Sequence, residues 1–132
     1  SVGSHNWVGE LTPLHATSSG KILLAHMSED ARREVLGDAG LKRYTDRTVT
    51  SLDELERQLK VVAEDGYVIS TEELEPGLSA VAAPIRDHAG MVVAALSVSG
   101  PVYRLDDDRA HDIVPAVVAA AVAVSERLGH QG

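Results

Sequence analysis

Cysteine is absent from the 132 residues. That excludes a disulfide framework and any thiolate metal site, and it fits a reducing, cytoplasmic compartment. Phenylalanine is absent too, and aromatic residues make up only 3% of the chain, so no stacking platform for nucleobases is visible. Basic residues are outnumbered, 12 Lys and Arg against 20 Asp and Glu, for a formal net charge of −8 and a pI near 5.1. A chain this acidic lacks the footprint of a nucleic-acid binder. No apolar run reaches the length of a membrane span, and no basic-then-apolar leader is present. The G-x-S-x-G, G-x-G-x-x-G, P-loop and H-E-x-x-H patterns are missing. The six histidines (His5, His15, His26, His88, His111, His130) are scattered without zinc spacing. No metal and no cofactor are therefore expected. No repeat or internal linker divides the chain, so residues 1–132 read as one domain, long enough to bury a core.

What is present centres on Leu78–Pro101. Two apolar runs, Leu78–Ile85 and Met91–Val98, flank the polar break Arg86–Gly90. Short Val- and Ala-rich runs bounded by Gly and Pro predict strands buried on both faces. Their close spacing makes them an antiparallel hairpin, which needs helices or further strands to cover it. Ser97 and Ser99, two apart, share a face. An even register would set Ala80 opposite Ser97 and Leu78 opposite Ser99. A three-residue loop with left-handed Gly90 fits the turn chemistry equally, and would need a bulge to restore the same patch.

Ser1–Glu10 has little pattern, with a short strand expected at Val8–Leu11, and the abrupt start suggests a fragment. Leu14–Met27 reads as a helix capped by Thr17 or Ser18. Gly20 in its first turn allows close approach to the backbone, and the free amides with the helix dipole could hold a carboxylate or phosphate. A plain cap under a loop explains one helix start as well. Ser28–Leu36 is a second helix, capped by Ser28 and ended by Gly37, followed by the polar connection Asp38–Thr50. Ser51–Glu64 is the clearest helix, with a Ser51/Glu54 capping box. Its apolar stripe is Leu52, Leu55, Leu59 and Val62, and a Glu56–Lys60 pair lies on its wet side. Gly66 stops it. Tyr67–Thr71 reads as a strand leading into Glu72-Glu73-Leu74-Glu75 and a Pro76-Gly77 turn. These glutamates have no His or Asp at ligand spacing, so a solvated acidic loop is expected. Leu105–Leu128 is a long helix opened by Asp106–Asp108. Ile113, Val114, Val117, Val118, Ala121, Val122 and Leu128 form its packing face, and Pro115 should kink or restart it.

His15 stands near Thr17 and Ser18, so a Ser–His dyad can be drawn, but nothing supplies an orienting carboxylate or an oxyanion hole. The residues alone thus describe a small α/β domain with a hydroxyl-lined face and one helix start able to hold an anion. A binding module fits better than an enzyme.

The block Thr12-Pro13-Leu14-His15-Ala16-Thr17-Ser18-Ser19-Gly20-Lys21 resembles the opening of the effector-binding domain of the isocitrate lyase regulator (IclR) family of bacterial transcription regulators. Three more blocks agree in order and spacing: Thr48-Val49-Thr50 with Leu52 and Leu55 ahead of Gly66-Tyr67; Glu72-Glu73 with Gly77 ahead of Val81–Ile85; and Leu96–Pro101. Ser125 with Leu128-Gly129 also fits. The resemblance covers about residues 8–130; no block is diagnostic alone, but the ordered set is specific.

The resemblance implies an α+β, GAF/PAS-like fold, a curved antiparallel sheet flanked by helices with a small-molecule pocket on one face. It implies a single effector-binding domain over 1–132, with a winged helix-turn-helix and the first strands of the domain outside this sequence. It implies an organic or aromatic acid as effector, a homodimer or homotetramer, DNA contacted only through the absent domain, and no membrane. The matching ligand positions are Ser18, Ser19 and Gly20 at the helix start, Ser70, Leu78 and Ala80, and Ser97 and Ser99. The even register is preferred because it brings the last four of these together. Some members of the family carry an acidic side chain at the Ser70 position and a larger one at Ala80. Ser and Ala here imply a roomier, less charged pocket, suited to an aromatic or longer acid more than to glyoxylate. The alternatives are a GAF-like interaction module with its pocket filled by its own side chains, and a small hydrolase using Ser18 or Ser97.

Overall fold

The computed structural model describes residues 13–37 and 40–132. The strand expected at Val8–Leu11 lies outside the described residues. A 3-10 turn, Leu14–Ala16, leads into α1 (Ser18–Ala25), α2 (Glu29–Leu36) and α3 (Leu52–Asp65). Three strands follow, β1 (Val68–Thr71), β2 (Leu78–Arg86) and β3 (Val92–Pro101), and then α4 (Asp107–Arg127). The strands form one antiparallel sheet in the order β1-β2-β3.

The caps follow the local chemistry. Thr17 accepts from the Gly20 amide, Ser28 from Ala31, Ser51 from Glu54 and Asp106 from Arg109, each satisfying a first-turn N–H that the helix cannot. The box at Ser51 is used on one side only, since the Glu54 carboxylate is engaged by Arg57 at 2.7 and 3.1 Å. Leu55, Leu59 and Val62 are buried as expected, but Leu52 is 49% exposed, because it occupies the first helical position, ahead of the turn that packs. Glu56 does not stay on a wet face with Lys60; it takes a two-pronged bond from Arg32 of α2, at 2.6 and 2.8 Å. α4 runs through Pro115 as one helix. Its buried line is Ala110, Val117, Ala121 and Ser125, while Val122 and Leu128 are 49% and 47% exposed. The packing face expected there was drawn too wide.

The hairpin turn is the three-residue form. Gly90 has φ +80°, its amide bonds Asp87 O at 3.0 Å, and Asp87 N bonds Met91 O at 2.9 Å. A bulge at Ile85/Arg86 then restores the alternation. Ala80 faces Ser99, Ala82 faces Ser97 and Leu78 faces Pro101, so the preferred register, with Ala80 on Ser97 and Leu78 on Ser99, is not the one formed. The faces survive, because the combined effect of loop and bulge is an even displacement, and a period-2 pattern is blind to it. The bulge also frees the Arg86 amide, which donates to Ser125 Oγ at 2.8 Å; that hydroxyl in turn donates to Ala121 O at 2.8 Å.

The sheet lies between helices. Val81, Ala83 and Ile85 of β2 pack on Leu105, Ala110, Val117 and Ala121. On the other face Ala82 and Val68 pack on Ile22 and Val62. β2 is mostly buried, as expected, but β3, like β1, is an edge strand among the described residues. Val93 and Val98 are 52% and 43% exposed, so burial on both faces does not hold for it.

Candidate functional site

Between α1 and the sheet lies a half-open cavity of about 400 Å³. Its floor is small by composition. Ser70 of β1, Leu78 and Ala80 of β2, and Ser97 and Ser99 of β3 all line it. The register makes Ser70, Ala80 and Ser99 a cross-strand row, since Ser70 pairs with Ala80 and Ala80 with Ser99. The roof is the start of α1, with Ser18, Ser19 and Gly20 lining it, joined by Leu14 and Thr17. The eight residues singled out from the sequence therefore surround one space. Among the described residues no side chain fills that space.

The roof is more specific than a generic helix start. A Cβ on Gly20 would lie 2.3 Å from the Leu14 carbonyl oxygen and 2.5 Å from its Cα. What approaches Gly20 is therefore the chain's own 3-10 turn. The Gly20 amide is committed to Thr17 Oγ1 at 3.0 Å, which removes it as an anion donor. The amides of Ser18 and Ser19 remain, and helix geometry gives them no intrahelical acceptor. His15 donates from Nε2 to Lys42 O at 2.7 Å and does not line the cavity, so the Ser–His dyad does not form.

One wall was missed. The glutamate loop is not simply solvated: Glu73 is 9% exposed and Lys21 3%. Lys21 Nζ donates to Glu73 Oε1 at 2.5 Å and to Gln58 Oε1 at 2.7 Å. Ser70 Oγ donates to Glu73 Oε2 at 2.6 Å. Both carboxylate oxygens are thus satisfied, as a buried charge requires. The loop is pinned from Asp38–Thr50, where Thr48 Oγ1 donates to Glu73 O at 2.6 Å and Thr45 Oγ1 to Glu72 O at 2.5 Å. Glu72 itself adopts φ +55° and accepts the Gly77 amide at 2.9 Å, closing the Pro76-Gly77 turn. The pocket expected to be less charged thus has an ionised glutamate in its wall, paired behind it with Lys21. Lys21 directly follows the capped Ser18–Gly20 turn, and that adjacency was the only sequence signal for it. Among the described residues no group of His, Asp or Glu is placed to hold a metal.

The model described as "Bacterial transcriptional regulator IclR C-terminal" matches residues 1–126. The HTH-type transcriptional regulator KdgR of Dickeya chrysanthemi is 38% identical over 123 residues, 93% of this chain and 40% of that protein. Among solved structures, the C-terminal domain of Escherichia coli KdgR superposes with a TM-score of 0.82 at 38% identity, covering 90% of this chain and 73% of that one. An IclR homologue from Microbacterium hydrocarbonoxydans, complexed with 4-hydroxybenzoate, gives a TM-score of 0.78 at 35% identity over 89% of this chain and 46% of that one. The chain thus spans less than half the length of the curated relative it matches. With its helix-flanked antiparallel sheet and its match along nearly the whole length, this chain belongs to the IclR family of bacterial transcriptional regulators, as a C-terminal, effector-binding domain.

Proposed function

We propose that the α1–sheet cavity is the sensing site of a bacterial transcription regulator and that its effector is a small organic acid. The observation that carries this is the convergence of Ser18 and Ser19, at the positive end of α1, with Ser97 and Ser99 around one cavity. Free amides at a helix start favour an anion, and the two serines supply further donors. At about 400 Å³ the space lies within the usual range for small-molecule sites, roughly 300–1,000 Å³. It accommodates one aromatic ring with its carboxylate, and the 4-hydroxybenzoate complex of the Microbacterium homologue supports an acid of that size. Among the described residues no histidine lines the cavity, and the relatives are named as transcriptional regulators, which favours a sensor over a hydrolase. In the longer protein the bound acid would bias a homodimer or homotetramer equilibrium and, through it, the placement of DNA-binding domains.

Thermal unfolding with a panel of carboxylic acids tests this. A bound acid raises Tm by mass action, by about 3 kcal/mol of added stability at a hundredfold excess over Kd. Ser97→Ala combined with Ser99→Ala should reduce that rise with little change in the unliganded Tm, since both hydroxyls are exposed. If no acid in the panel raises Tm, the reading fails.

A further inference from the structure

The geometry points to Glu73 as the residue that sets the hydrogen-bonding sense of the cavity at Ser70, so that the effector carries a hydroxyl or amine donor aimed at that wall. The inference rests on the acid-site reading above and adds which second group the acid bears.

A serine hydroxyl has one proton to give. That of Ser70 goes to Glu73 Oε2 at 2.6 Å, and an ionised carboxylate can only accept. The other carboxylate oxygen is held by Lys21, which is itself braced by Gln58. Ser70, Glu73 and Lys21 are 6%, 9% and 3% exposed, so water cannot readily substitute for any of these partners. Ser70 lines the cavity and therefore offers it lone pairs only. For Ser70 to donate to a ligand, its hydroxyl would have to leave Glu73, stripping a buried carboxylate of a hydrogen bond. A ligand carboxylate at this wall would also meet acceptors without donors. The acid group is therefore directed to the Ser18 and Ser19 amides and the exposed, freely rotating Ser97 and Ser99 hydroxyls. The opposite end of the ligand must bring the donor. Ser97 and Ser99 accept or donate as needed, whereas on the sheet side of the cavity the sense of Ser70 is fixed.

The test compares acids that differ in one group, by isothermal titration of the whole chain. The 3- and 4-hydroxybenzoates and 4-aminobenzoate carry a donor; the 3- and 4-methylbenzoates are of similar size without one; benzoate is the bare reference. 3-Hydroxybutyrate against butyrate repeats the comparison without a ring. In at least one series the donor-bearing acid should bind about tenfold tighter than its methyl or bare counterpart, the scale of one well-made hydrogen bond. Ser70→Ala should abolish that ratio, weakening the donor-bearing acids by a larger factor than benzoate or butyrate. Ser70→Thr, which keeps a hydroxyl, should restore it. Equal binding of donor and non-donor acids in every series overturns the assignment while leaving the acid site standing, as does a ratio that persists in Ser70→Ala. If Ser70→Ala fails to fold, the wild-type ratios decide alone. No binding by any acid removes the underlying reading and this inference with it.

Discussion

His26 closes α1 with its Nε2 atom buried and unpartnered. Burial, and secondarily the Arg86 guanidinium nearby, hold its pKa below the ordinary 6.5. The unfolded chain therefore takes up the proton before the folded one does. Above pH 6.5 the ring contributes no pH dependence; as pH falls below 6.5 stability declines, until the folded-state pKa is passed. Urea midpoints measured from pH 7.5 to 5.5 should fall more steeply for the wild type than for a His26→Gln variant. The Glu56 carboxyl, held low chiefly by its bond to Arg32, acts in the opposite group of the ledger and at lower pH. Its stabilisation is present above about 4.5 and is lost as pH drops through its depressed value, outside the histidine window. Single residues were unevenly legible in the sequence. Thr17, Ser28, Ser51 and Asp106 announce themselves as caps because capping depends on neighbours two or three positions away. Glu73 did not, because its partner Lys21 lies 52 positions off and charge pairing across elements leaves no periodic trace.

At the scale of elements, α2 shows how a helix can be held with little core, its Leu36 packing only partly buried against Leu24, Val49, Leu55 and Leu59. None of its residues is buried; Arg32 fastens it. That side chain grips Glu56 of α3 with two bonds and also donates to Leu24 O at 3.3 Å, in the last turn of α1, and to Met27 O at 2.6 Å just beyond it. A guanidinium has five donors in a planar fork, enough for these four bonds; an ammonium has three and no fork to match a carboxylate. Arg32→Ala should cost about 1–3 kcal/mol in urea unfolding, and Arg32→Lys should recover less than half of it. If lysine restores full stability, the fork geometry is not what matters. The helices and the hairpin were readable from apolar spacing and turn residues. The order of pairing was not: hydrophobic alternation identifies a face, and the Ile85/Arg86 bulge moved partners along β3 without turning a side chain over. Nor does composition tell an interior strand from an edge, which is why β3 looked as enclosed as β2.

For the molecule as a whole, the acidic charge balance disfavours contact between this chain and DNA. With a net charge of −8 the chain has no counterions to release from a phosphate backbone on balance. In a mobility-shift assay at 50 mM salt it should leave duplex DNA unretarded; retention that weakens with added salt would contradict this. Among the described residues no helix is long and apolar enough to cross a membrane. The Lys21–Glu73 pair has a further consequence at this scale. Glu73 borders the α1–sheet cavity and also a second, wider hollow of about 550 Å³ along β1, which Lys21 lines as well. Replacing either member alone strands the opposite charge inside a partition with a hollow on each side. Divergence at these two positions must therefore proceed in step, and descendants of this chain that alter one without the other should be those that have abandoned the partition altogether.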